Sequence, residues 1–128
     1  MGLDNGFRCK NINRDDIPSF VKLPWDWRDD DVELVYFRKC WGIRGDILRL
    51  LHAGDEDYES PVEEDDIIPI VKTLMKYLDK KYYEENANSI WEYEDYNDNI
   101  QHSIINLIWL KMYMESHPDV ECYFYDSY

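Results

Sequence analysis

Both ends of the chain carry strand patterning while the long middle carries helical patterning, so any sheet must be built largely from segments far apart in sequence. In residues 1–9, Leu3, Phe7 and Cys9 fall on alternating positions around Gly2 and Gly6. Alternation at every second position turns one face of an extended segment toward a core, and a glycine inside it marks a bulge or a close backbone approach. Residues 120–128, Val-Glu-Cys-Tyr-Phe-Tyr-Asp-Ser-Tyr, are rich in β-branched and aromatic side chains, which suit a pleated, half-buried surface. Strands need paired edges, so the two ends are expected to pair antiparallel with each other, with Cys9 and Cys122 as neighbours. Such a pair would permit a disulfide in an oxidising compartment.

Three helical stretches lie between these strands. The first is expected to start after Asp29-Asp30-Asp31, with Leu34, Phe37, Trp41, Leu48 and Leu51 near helical spacing and a stop at Ala53-Gly54. Gly42 and Gly45 inside it each cost about 1 kcal/mol relative to alanine, so another backbone, a ligand or a partner must approach that face closely. The second begins near Asp65 or Asp66, places Pro69 in its first turn, and carries Ile67, Ile70, Val71, Leu74 and Leu78 on one face and Lys72, Lys76 and Lys80 on another. The third runs from about Asp98 to Ser116 and is apolar nearly all round, as befits a central helix or one with a second face for self-association. Segments 11–30 and 84–97 read as ordered loops carrying Trp25, Trp27, Trp91, Tyr93 and Tyr96, with 90–93 as a candidate third strand. The whole chain, 1–128, is therefore read as one α+β domain: a three-helix core with a small antiparallel sheet formed by the terminal strands.

Charge is distributed unevenly. Residues 1–53 hold nine basic and nine acidic side chains, whereas residues 54–128 hold five basic and nineteen acidic and carry the whole net charge of −14. Direct nucleic-acid binding is disfavoured, because that interaction runs on cations displacing counterions from phosphates. Two segments concentrate the acids: 54–66, with Asp55, Glu56, Asp57, Glu59, Glu63, Glu64, Asp65 and Asp66, and 84–98, with Glu84, Glu85, Glu92, Glu94, Asp95 and Asp98. Segregated like charge costs stability through self-repulsion. It is explained by a solvated loop, or by a docking surface for a basic protein whose groove otherwise accepts phosphates.

The chain has no run of 18 apolar residues and no basic leader followed by an apolar core, so neither a membrane span nor a secretory signal is expected. Cys9, Cys40 and Cys122, with His52, His102 and His117, form no C-x-x-C pair and no i, i+4 histidine pair. The expectation is an intracellular protein with reduced thiols and neither metal nor cofactor. The acids of 54–66 also miss the twelve-residue calcium loop, lacking its glycine and terminal glutamate. No nucleophile elbow, phosphate loop or zinc-deaminase signature occurs, and the chain is not read as an enzyme.

Three short segments carry a family likeness. The opening Met1-Gly2-Leu3-Asp4, the run Phe37-Arg38-Lys39-Cys40-Trp41-Gly42-Ile43-Arg44, and the closing Tyr125-Asp126-Ser127-Tyr128 occur in this order. Together they resemble a family of small phage and prophage proteins that begin Met-Gly-Leu-Asp, carry an aromatic-Arg-Lys-x-x-x-Ile-His helix and end in an aromatic-x-Ser-aromatic tail. Arg44 stands where that family has histidine. The resemblance implies a phage or prophage origin and a cytoplasmic setting, and it brings no assigned activity.

Two functional readings follow. In the first, the chain is an acidic, phage-type inhibitor of a host nucleic-acid-binding defence protein, of the anti-CRISPR or DNA-mimic kind, acting as monomer or homodimer. Its contact residues would be Asp55, Glu56, Asp57, Glu59, Glu63 and Glu64, with Trp91, Tyr93 and Tyr96 as desolvated anchors. In the second, Arg38, Lys39 and Arg44 on the first helix form an anion or nucleotide site that sequesters a small ligand.

Overall fold

The computed structural model describes residues 4–24, 31–54 and 59–127. In chain order these form β1 (Asp4–Lys10), a 3₁₀ turn at Arg14–Asp16, β2 (Val32–Arg38), α1 (Trp41–Leu50), β3 (Glu59–Val62), α2 (Glu64–Lys76), α3 (Lys80–Asn86), α4 (Tyr93–Ser116) and β4 (Glu121–Ser127). The architecture is α+β, with four helices and one antiparallel sheet of order β2-β1-β4-β3 among the described residues. Trp25, Trp27, Asp55, Glu56 and Asp57, together with Met1–Leu3 and Tyr128, lie outside the described residues.

The terminal strands pair as expected, in an unbroken register from Asp4 opposite Ser127 to Lys10 opposite Glu121, and they form the centre of the sheet. Phe7 packs on Phe124 with ring centroids 5.2 Å apart. Cys9 faces Cys122 as a free, buried thiol pair, and burial, followed by the hydrogen bond between them, pushes the Cys9 thiol well above its ordinary value. Gly6 is required by close approach: a Cβ there would stand 2.0 Å from the Val35 carbonyl oxygen.

The expected first helix divides into β2 and α1. Pairing moves from Phe7 opposite Val35 to Arg8 opposite Glu33, leaving Leu34 as the extra residue of a β-bulge. The bulge breaks strict alternation and buries Val32, Leu34, Val35 and Phe37 together. That spacing, extended to Trp41, imitates a helical stripe. Helix α1 ends in a Schellman arrangement, with Ala53 N–H donating to the Leu48 carbonyl at 2.9 Å and His52, not a glycine, in the left-handed region at φ 55°.

The acidic segment expected as a loop continues into β3, whose Pro61 is accommodated because β3 is an edge strand. Helix α2 then begins at Glu64, and the Asp66 carboxylate accepts from Glu63 N–H at 2.9 Å. Pro69 falls in its second turn rather than its first. Helix α3 was not anticipated; Asp79 caps it by accepting from Tyr82 N–H at 2.9 Å. Helix α4 begins five residues earlier than expected, and 90–93 forms no strand: only an isolated bridge joins Ser89 to Cys40.

Helix α4 also seals the free edge of β2 with side chains. Asn106 donates to the Leu34 carbonyl and to the Lys22 carbonyl at 2.9 Å each, and Asn99 donates to the Tyr36 carbonyl at 3.2 Å. Arg38 N–H donates to the Tyr96 hydroxyl at 3.3 Å, while the Trp91 indole N–H donates to the Arg38 carbonyl at 2.9 Å. An exposed strand edge is a template for unwanted pairing, and these bonds close it. The helix is central, as its buried Ile100, Leu107 and Leu110 attest, yet Ile105, Ile108 and Met112 on another face are exposed.

Candidate interaction surface

The loop joining α3 to α4 is held from three sides. Gly42 N–H donates to the Ala87 carbonyl at 2.8 Å, and a Cβ on Gly42 would lie 1.9 Å from the Asn86 carbonyl oxygen, so this glycine admits the backbone of the loop. Asn88 takes φ 47° to make the turn, and the Cys40 thiol donates to the Ser89 hydroxyl at 3.3 Å. Tyr83 donates its hydroxyl to the Trp91 carbonyl at 2.8 Å, and Trp91 N–H donates to Ser89 Oγ at 3.0 Å. The Trp91 ring lies parallel to that of Tyr96, with an interplanar angle of 6° and centroids 6.2 Å apart.

This scaffold presents two apolar groups to solvent, Ile90 at 65% exposure and Trp91 at 37%. Around them Glu84, Glu85, Glu92, Glu94, Asp95 and Asp98 are all exposed. A depression of about 710 Å³ runs past Ile90 and Trp91, bounded by Glu84, Glu92, Glu94 and Lys80. Glu94 pairs with Lys80 at 2.6 Å, which lowers the Glu94 carboxyl and raises the Lys80 ammonium, in each case chiefly through that hydrogen bond. Among the described residues, Glu85, Asp95 and Asp98 have no ion-pair partner.

Tyr93 and Tyr96, expected as docking anchors, serve the fold instead. Tyr96 is only 8% exposed and sits beneath Trp91, and half-buried Tyr93 donates to the Leu78 carbonyl at 2.6 Å. Of the expected aromatic trio only Trp91 remains available. Ile90 was missed, because a lone apolar residue in an acidic loop carries no periodic signal.

Among the described residues, the two acidic segments lie at opposite edges of the sheet; Asp55, Glu56 and Asp57 fall outside those residues. Glu59 lies on β3 and Trp91 binds the end of β2, on opposite edges of the sheet; three strand spacings separate those edges by about 14 Å. Glu59 and Glu63 are exposed, whereas Glu64 is half-buried and holds Lys111 at 3.2 Å. Glu64 therefore ties α2 to α4 and is not a free contact residue.

The expected anion site is likewise dispersed. Arg38 ends β2, Lys39 occupies a left-handed bend at φ 55°, and only Arg44 lies on α1. Arg44 is buried and donates from Nε to Asp126 Oδ2 at 2.5 Å, also meeting the Trp41 ring with its guanidinium 5.6 Å from the centroid. Arg38 stays half-exposed with Nε 4.0 Å from Asp4 Oδ1. The two arginines are split between a strand and a helix because the bulged β2 replaces the first half of the expected helix.

On the sheet face away from the helices, tyrosines and carboxylates form a closed network. Tyr36 donates to Asp4 at 2.6 Å, Tyr125 to Glu33 and Tyr123 to Asp31. The Arg8 guanidinium stacks 4.0 Å above the Tyr125 ring and approaches Glu33 at 3.8 Å. Burial, then the hydrogen bond to Asp4, pushes the Tyr36 phenol up to about 12; burial and the carboxylate partners raise Tyr123 and Tyr125 in the same direction. Arg8 is thus matched to partners, in contrast to Glu85, Asp95 and Asp98 near Trp91 among the described residues.

Among the described residues no cluster of three or more His, Cys, Asp or Glu side chains is arranged to hold a metal ion, and no helix is long and apolar enough to cross a membrane. No family model matches the chain, and neither a curated protein nor a solved structure matches it.

Proposed function

We propose that this chain is an acidic interaction protein that occupies the nucleic-acid-binding surface of a basic partner, as a phage-encoded inhibitor of a host defence protein would. The observation that carries this reading is the exposed carboxylate field of Glu84, Glu85, Glu92, Asp95 and Asp98 around the rigidly held Ile90 and Trp91. Partly exposed aromatic anchors ringed by polar groups are where interface energy concentrates, and a pre-organised loop lowers the entropy lost on docking. Carboxylates supply the negative charge that a basic groove otherwise takes from phosphate.

The test is affinity capture from a bacterial lysate with wild-type protein and a Glu84→Lys/Glu92→Lys/Asp98→Lys variant side by side. These are surface sites, so the variant should melt close to wild type. Wild type is expected to retain a basic nucleic-acid-binding protein and the variant to lose it. Recovery of the same proteins by both would overturn the reading.

A further inference from the structure

We infer that the groove between Trp91 and the end of β2 receives an arginine side chain of the basic partner. This deepens the reading above and rests on it. The groove encloses about 560 Å³ and is lined by Tyr36, Arg38, Trp91, Asp95, Tyr96 and Asn99. Pro24 completes the lining, and three of the seven residues, Tyr36, Trp91 and Tyr96, are aromatic; a planar guanidinium stacks on such rings, and a compact ammonium does so less well. The Trp91 ring is fixed by its bond to the Arg38 carbonyl and by its parallel packing on Tyr96. Asp95 stands in the lining, exposed and without an ion-pair partner among the described residues, with Asp98 one turn further along α4. Among the described lining residues the one cation, Arg38, faces Asp4 at 4.0 Å. With Arg38 matched by Asp4, Asp95 is the lining charge left without a partner among the described residues, so the occupant is cationic, and the aromatic rings select guanidinium.

Blocked hexa-arginine and hexa-lysine peptides, compared at equal ionic strength, separate this from simple charge attraction. The readouts are affinity and the NMR resonance of the Trp91 indole N–H, assigned by Trp91→Phe. The arginine peptide is expected to bind about fivefold more tightly, to shift the Trp91 resonance, and to bind more weakly to Asp95→Asn. Equal binding of both peptides with Trp91 unmoved would overturn the groove while leaving the acidic surface standing. Binding of neither would overturn both. A Trp91 shift with inorganic phosphate and none with the arginine peptide would overturn the inference in favour of an anion held by Arg38.

Discussion

Arg44 of α1 and Asp126 of β4 meet at 2.5 Å with both side chains buried, joining the helix layer to a central strand. Removing one member strands the other's charge in the interior, which costs about 3–5 kcal/mol. Arg44→Met should therefore unfold at much lower urea than wild type. Arg44→Met combined with Asp126→Leu should recover most of the loss, since paired apolar replacement removes both desolvation penalties. A single variant as stable as wild type would show that the pair does not join the layers.

The two glycines of α1 should respond in opposite directions to alanine. At Gly42 the new Cβ would meet the Asn86 carbonyl oxygen at 1.9 Å, so the loop carrying Trp91 must move; overpacking of this kind costs about 1–3 kcal/mol or more. At Gly45 the nearest atom is the flexible Arg49 guanidinium at 3.5 Å, and Gly45→Ala should gain about 0.5–1 kcal/mol from helix propensity. Thermal melts of both variants decide it, and equal effects would contradict the packing described.

Stability should decline on the alkaline side. Tyr36 holds its proton to about 12 in the folded state, against 10 for an unperturbed phenol, and Tyr77, Tyr96, Tyr123 and Tyr125 are raised as well. A raised folded value means the folded state binds more protons above pH 10, so this contribution is complete below pH 10 and is lost as pH climbs through the raised values. Phenolate absorbance should show these tyrosines silent near pH 10 and ionising together with unfolding at higher pH. Ionisation of all eleven tyrosines near pH 10 with the fold intact would contradict the network.

How far the sequence revealed this fold can be judged element by element. The terminal strands were legible because alternation around Phe7 and Cys9 and the aromatic run at Tyr123–Tyr125 are local signals. Strand β2 was not, since the bulge at Leu34 shifts its phase and produces spacing that a helix shares. Strand β3 was hidden because three of its four residues, Glu-Ser-Pro before Val62, have weak β character, and its pairing with β4 is a tertiary effect. At the surface, the acidic segment 84–98 was visible as composition. The burial of Tyr96 depends on which face of α4 meets β2, and the exposure of Ile90 on how the loop before α4 is held; no local pattern carries either. Arg38 and Arg44 looked like helical neighbours for the same reason that β2 looked like helix.

The central claim is that the surface around Ile90 and Trp91 competes with nucleic acid for a basic partner. The most direct measurement is fluorescence anisotropy of a labelled duplex bound to the captured partner, titrated with wild-type protein and with the Glu84→Lys/Glu92→Lys/Asp98→Lys variant. Wild type should displace the duplex, and more weakly as salt rises and the screening length contracts from about 10 Å at 0.1 M to about 3 Å at 1 M. The variant should displace none. Displacement by the variant equal to wild type, or a duplex left bound at saturating wild-type protein, would contradict the account.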